Sequence, residues 1–149
     1  VNIVKVRLPQ LESLASLFND YRQFYQQPSD LDGARQFLRE RLRLEDSVIF
    51  AAEVDGSLVG FAQLYPSFSS IAMKRLWIVN DLYVHPEFRK KSVARTLLRE
   101  ARQFAESTGA GGLTLKTALT NEPAQGLYTS LGWKKDEVFC SYNLKIGPA

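Results

Sequence analysis

The chain has one cysteine, one histidine and one methionine among 149 residues. A lone thiol, Cys140, closes no internal disulfide, so a reducing cytoplasm is the expected compartment. His85 and Cys140 are too few ligands for a dedicated metal site, and no metal is expected. No apolar run approaches the roughly 20 residues of a membrane-spanning helix. The opening VNIVKVRLPQ lacks the apolar core of a secretory signal, and no membrane partner is expected. Two phosphate-binding patterns, GxxxxGK[ST] and GxGxxG, are also missing.

What is present is an ordinary globular balance, with 45% hydrophobic and 23% charged residues. The length fits one domain, 1–149, able to bury a continuous core. No repeat or linker interrupts it. The net charge is +3, and cations gather at Arg89, Lys90, Lys91, Arg95, Arg99 and Arg102. Such a cluster suits a nucleic acid or one phosphorylated cofactor. Without a nucleic-acid motif or a long basic tail, no nucleic-acid partner is expected.

Periodicity predicts the elements. Residues 2–8 alternate like a half-buried strand, and Pro9 suits the first turn of a helix carrying Leu11, Leu14, Phe18, Tyr21 and Tyr25. A second amphipathic helix runs through Leu31, Ala34, Leu38 and Leu42. SVIFAAEV, Asp55-Gly56 and SLVGFAQLYP read as a hairpin. KRLWIVNDLYV is a third strand, and a helix with Val93, Leu97, Ala101 and Phe104 buried starts near Ser92. LTLKTA is the next strand, which makes strand–helix–strand a right-handed parallel crossover. A short helix over 123–131 and a last strand over 137–146 complete a mixed α/β chain, with Cys140 as a small core residue of that strand.

The loop EFRKKSVA joins a strand to a helix start, where unpaired N–H groups and a partial positive charge suit a pyrophosphate. Its plainer reading is a surface helix capped by Ser92. The longer segment NDLYVHPEFRKKSVARTLL resembles the signature of the GNAT acetyltransferase superfamily, Arg/Gln-x-x-Gly-x-Gly/Ala, on Arg89, Ser92 and Ala94. NEPAQGLYTSLGW resembles that superfamily's second motif. GFAQLYPSFSS, Asn80-Asp81 and NEP are similar to its diamine (spermidine/spermine) and Hpa2-like amine acetyltransferases. Ser92 departs from the pattern, standing where glycine is usual and placing a Cβ beside the phosphates.

The resemblance implies a GNAT-like fold: a mixed, mostly antiparallel twisted sheet with splayed parallel central strands and about four helices. It implies acetyl transfer from acetyl-CoA to a primary amine of a small molecule, by direct attack on the thioester. Main-chain groups of Leu82, Tyr83 and Val84 would hold the pantetheine arm, with a backbone N–H near Val84 facing the oxyanion. Arg89, Lys90, Lys91, Ser92, Val93, Ala94 and Arg95 would form the pyrophosphate loop. Asn121 would hydrogen-bond the cofactor, cap its helix, or do both. Tyr128 would be the general acid for the leaving thiolate, its alternative being a packed helix residue.

For the acceptor amine, Asp81 is an available anion, while Asn80 beside it cannot take a proton. Solvent water is an available acceptor, and His85, before Pro86, reads as a turn residue. Tyr21 and Tyr25 would face Tyr65 and Asp81 across the amine pocket, or else belong to the core stripe of their helix. A homodimer is compatible with the resemblance. Two other functions stay open: a protein or histone lysine acetyltransferase, and an acyl-CoA-binding module without catalysis.

Overall fold

Pro9 decides how the chain leaves its first strand. The computed structural model describes residues 1–90 and 92–148; Lys91, among the expected loop residues, lies outside them. Strand β1 (Asn2–Lys5) stops short of the expected Leu8, because a 3-10 turn over Leu8–Gln10 carries Pro9 into the next helix. The Val6 N–H still donates to Ile49 O at 2.8 Å, a last rung beyond the strand. Helix α1 (Leu11–Phe24) buries Leu11, Leu14, Ala15 and Phe18 along one stripe. Helix α2 (Leu31–Leu44) starts at Asp30, whose carboxylate accepts the Gly33 N–H at 2.9 Å.

Strands β2 (Val48–Val54) and β3 (Ser57–Ser69) form the expected hairpin. Asp55 and Gly56 both take positive φ, 50° and 81°, as a two-residue turn of this hand requires. Strand β4 (Lys74–Val84) pairs antiparallel with β3. Helix α3 (Val93–Ser107) then crosses to β5 (Gly112–Leu115), which pairs parallel with Leu76–Val79. The sheet order is β1-β2-β3-β4-β5. With four α-helices among the described residues, this is the expected mixed α/β architecture.

The two faces of the sheet take different helices, because successive side chains of a strand alternate. Ile49, Ala51, Phe61 and Tyr83 share a core with Leu14, Phe18 and Leu38 of α1 and α2. Phe50 and Trp77 point the other way, onto Phe104 of α3, with ring centroids 5.5 and 4.9 Å apart. Trp77 Nε1 also donates to Thr108 Oγ1 at 2.9 Å, so its one polar atom is satisfied. Leu14 and Leu38 are fully buried; each such side chain contributes about 1.5–3 kcal/mol.

These elements belong to the first of two compact units, Val1–Lys116; the second is Thr117–Ala149. In the second, helix α4 (Glu122–Ser130) is capped by Asn121, whose side chain accepts the Ala124 N–H at 3.2 Å. Gly132, at φ 91°, ends it in the left-handed conformation. The strand expected over 137–146 does not form; those residues carry no helix or strand and are exposed. A strand needs a neighbouring ladder for its main-chain groups, and among the described residues none pairs with this segment. Cys140, expected in a core, is exposed with it. No described helix is long and apolar enough to cross a membrane.

Candidate active site

A bulge in β4 opens the sheet. Gln63 pairs with Asp81 and Leu64 with Val79, so Asn80 has no residue opposite it. Such an extra residue bends its strand and re-aims the side chains beyond it. Trp77, and by alternation Val79, point to α3, whereas Asp81 reaches Tyr21 of α1. Strand β5 follows β4 only as far as Val79. From Asn80 to Val84, the edge of β4 on that side has no strand partner among the described residues.

The direction of the main chain there is fixed by one bond. His85 N–H donates to Val59 O of β3 at 2.8 Å. By alternation, the main-chain groups of Asp81 and Tyr83 also face β3, and those of Leu82 and Val84 face the open edge. Of the three residues expected to hold an extended ligand, two therefore present backbone to it. Tyr83 contributes a side chain to the α1 face instead, with its ring 5.6 Å from that of Tyr21.

The loop beyond β4 is unusual in its backbone. Lys90 and Ser92 adopt φ of 62° and 63°, a region that costs an L-residue about 1–2 kcal/mol. Ser92 makes no side-chain cap bond, contrary to the plainer reading of a capped surface helix. Its carbonyl accepts from Thr96 N at 3.0 Å and from Thr96 Oγ1 at 2.8 Å. That leaves the N–H groups of Val93 and Ala94 in the first turn, where α-helical geometry supplies no acceptor. Left-handed residues beside such N–H groups are the parts of an anion-binding nest. Val93 lies against β3: a Cβ on Gly60 would meet Val93 Cγ1 at 3.2 Å and Tyr83 O at 3.1 Å. Gly60 pairs with Val84, so the helix start sits at the end of the open edge.

Arg89 turns back to β4. Its Nε donates to Val84 O at 2.9 Å, and its guanidinium lies 5.2 Å from the Phe24 ring and 5.5 Å from that of Tyr83. His85 is the turn residue expected, its Nδ1 accepting the Glu87 N–H at 3.2 Å.

On the α1 face, Asp81 is the centre of a buried polar chain. Tyr21 O–H donates to its Oδ1 and Gln63 Nε2 to its Oδ2, each at 2.9 Å. Asn80 Nδ2 lies 3.2 Å from both oxygens. Ser47 Oγ donates to Gln63 Oε1 at 2.9 Å, which fixes the amide's orientation. Asp81 is 8% exposed and Gln63 is fully buried. Burial, then the Asp81 charge, pushes the Tyr21 phenol far above its ordinary range. The same two causes push Tyr65 up to about 12. Tyr83 is raised as well, chiefly by burial. Tyr25 packs edge-on against Tyr21 at 5.2 Å and stays exposed.

Tyr21, Asn80 and Asp81 are thus in direct contact, with Tyr25 one ring away and Tyr65 within reach of the Asp81 charge. Sequence reasoning missed Gln63, Ser47 and Phe24. Gln63 left a signal, being the one amide in the apolar run of β3. In the C-terminal unit, Asn121 caps α4, and the Tyr128 ring lies 6.1 Å from Trp133, whose N–H donates to Tyr128 O at 3.0 Å.

Comparison with known proteins agrees with this geometry. Residues 12–133 match the model of the acetyltransferase (GNAT) family. An uncharacterized N-acetyltransferase of Bacillus subtilis is 44% identical over 146 residues, 98% of both chains. A D-amino-acid N-acetyltransferase of Saccharomyces cerevisiae is 30% identical over 108 residues, 72% of this chain and 66% of its own. The crystal structure of a probable acetyltransferase, 44% identical, superposes with a TM-score of 0.94 over 100% of both chains. With a family match spanning most of its length and a bulged, mixed sheet to go with it, the chain belongs to the GNAT family and is an N-acetyltransferase.

Proposed function

We propose that the protein moves the acetyl group of acetyl-CoA onto a primary amine of a small molecule. The observation that carries this reading is Asp81: a nearly buried carboxylate whose hydrogen-bond donors are all neutral. Buried charges are normally paired, and a protonated amine supplies the missing cation. The open edge of β4 ends beside it, so an extended pantetheine arm laid along Leu82 and Val84 brings a thioester to the same place. The α3 start and its left-handed loop take the pyrophosphate, through the N–H groups of Ser92, Val93 and Ala94 and the charges of Arg89, Lys90, Lys91 and Arg95.

The chemistry then balances as follows. The amine loses its proton to solvent water, since the Asn80 amide has no basic atom to take it. The freed nitrogen attacks the thioester carbon, and the N–H of Val84 at the open edge faces the developing oxyanion. The C–N bond forms, the C–S bond breaks, and Tyr128 protonates the departing thiolate; the attacking nitrogen gives up its surplus proton through solvent, which restores the Tyr128 phenol. Asn121 adds a hydrogen bond to the co-substrate. Tyr21, Tyr25 and Tyr65 wall the amine site, and the raised phenols of Tyr21 and Tyr65 stay neutral beside the Asp81 charge. A reducing cytoplasm suits the exposed Cys140 thiol.

The test is a panel of small primary amines and lysine peptides, assayed with acetyl-CoA. Turnover confined to small amines is expected. Acetylation of peptides alone contradicts the small-molecule reading, and binding of acetyl-CoA without turnover on any member contradicts catalysis.

A further inference from the structure

One charge on the α1 face is not accounted for by acetyl transfer to a simple amine. Arg41 lies in the last turn of α2, half-buried, with its guanidinium over the Phe37 ring at 4.9 Å. Phe37 stacks on Phe18 and Phe18 packs on Tyr21, each pair with centroids 5.9 Å apart. Helix α2 thereby joins the wall that ends in the Tyr21–Asp81 bond. Tyr65 lies within reach of both charges: burial and Asp81 raise its phenol, whereas Arg41 lowers it. Nε of Arg41 is buried and makes no hydrogen bond. Asp46 Oδ1 is 3.1 Å from it, an ion pair by distance that lies off the line of the N–H. Asp46 is 43% exposed, so water screens its pull. Glu40 Oε1, 3.6 Å from Nη2, is beyond hydrogen-bond distance. The guanidinium thus has no hydrogen-bond acceptor among the described residues, although its fork of N–H groups fits a carboxylate with two parallel bonds.

We propose that Arg41 is a specificity-determining residue of the amine site, and that the acceptor is an amino acid with a free carboxylate. Its ammonium rests on Asp81 and its carboxylate on Arg41, so the inference depends on the amine site proposed above. A buried anion and a half-buried cation on one wall complement a zwitterion. A diamine would instead turn its second ammonium towards Arg41, a like-charge contact that disfavours it. The Phe37 ring beneath the guanidinium limits its freedom beforehand, which lowers the cost of ordering it on a ligand.

The test uses the full chain with acetyl-CoA. Its acceptors are the common α-amino acids, β-alanine and γ-aminobutyrate, each against its own carboxamide, with putrescine as the diamine. At least one amino acid should exceed its carboxamide in kcat/KM by about ten- to a hundred-fold, the worth of a charged hydrogen bond. Arg41→Gln should collapse that preference by raising KM for the amino acid, with kcat changed far less. Arg41→Lys keeps the charge and should recover part of it. Equal use of amino acids and carboxamides, or a preference for putrescine, overturns the proposal. So does a preference that survives in Arg41→Gln, or a loss shared equally by both acceptors, as a purely structural role would give. No turnover of any acceptor contradicts acetyl transfer itself. Calorimetry of the amino acids against the chain with coenzyme A then decides the role of Arg41, which fails if the parent chain and Arg41→Gln bind them equally.

Discussion

Asp81 meets only neutral donors, and that decides what its replacement should do. Asp81→Asn keeps the size and most of the hydrogen bonds but removes the charge that would hold an ammonium. Hydrogen bonds to charged groups contribute about 1.5–3 kcal/mol, so steady-state kinetics should show KM for the amine rising about ten- to a hundred-fold. Calorimetry should show acetyl-CoA affinity unchanged, because the open edge of β4 is untouched. An unchanged amine KM would remove Asp81 from the acceptor site. Tyr128→Phe asks about the other proton. It keeps the ring beside Trp133 and removes the only proton the side chain offers. Single-turnover rates should fall by about 10²–10⁴-fold, the usual worth of general acid catalysis. An undiminished rate returns Tyr128 to a packing role on α4.

At the scale of elements, the loop before α3 makes the sharpest forecast, because Ser92 is left-handed and caps nothing. Ser92→Ala should then cost less than the ~1 kcal/mol of a lost cap. Ser92→Gly should stabilise by up to about 1 kcal/mol, since relief of backbone strain outweighs the extra freedom of glycine in the unfolded chain. Chemical denaturation measures both; a large loss in the alanine variant would mean a cap bond exists. Ser92→Glu should weaken acetyl-CoA binding by setting an anion against the pyrophosphate. Most elements were legible because each obeys one period: β4 spans the residues its alternation predicts, and α3 starts just after Ser92. The bulge at Asn80 was not legible, since it becomes visible only when β3 supplies the register. The Ser47–Gln63–Asp81 chain was hidden for the same reason, its members being brought together by strand pairing and not by spacing. The strand expected over 137–146 shows the converse, a periodic pattern with no ladder among the described residues to complete it.

For the molecule as a whole, the aromatic wall around Asp81 makes alkaline stability a readout of the site. Tyr21, Tyr65 and Tyr83 hold their protons more tightly folded than unfolded. Their contribution is full below the unfolded phenol value near ~10 and is lost as pH rises through the folded values. Stability should thus fall between about pH 10 and 12, and absorbance at the phenolate band should show a late-titrating class, with Tyr65→Phe removing one member near 12. All phenols titrating together at the ordinary value would mean the wall is open to water. The central claim is that the open edge of β4, the left-handed loop and Asp81 together move an acetyl group from a thioester to an amine. The most direct measurement follows free thiol and acetylated amine in the same reaction, with the full chain, acetyl-CoA and a small primary amine. Both products should appear one for one, with a much lower rate in Asp81→Asn at sub-saturating amine. Thiol released without acetylated amine, or neither product from a chain that binds acetyl-CoA, would contradict that claim.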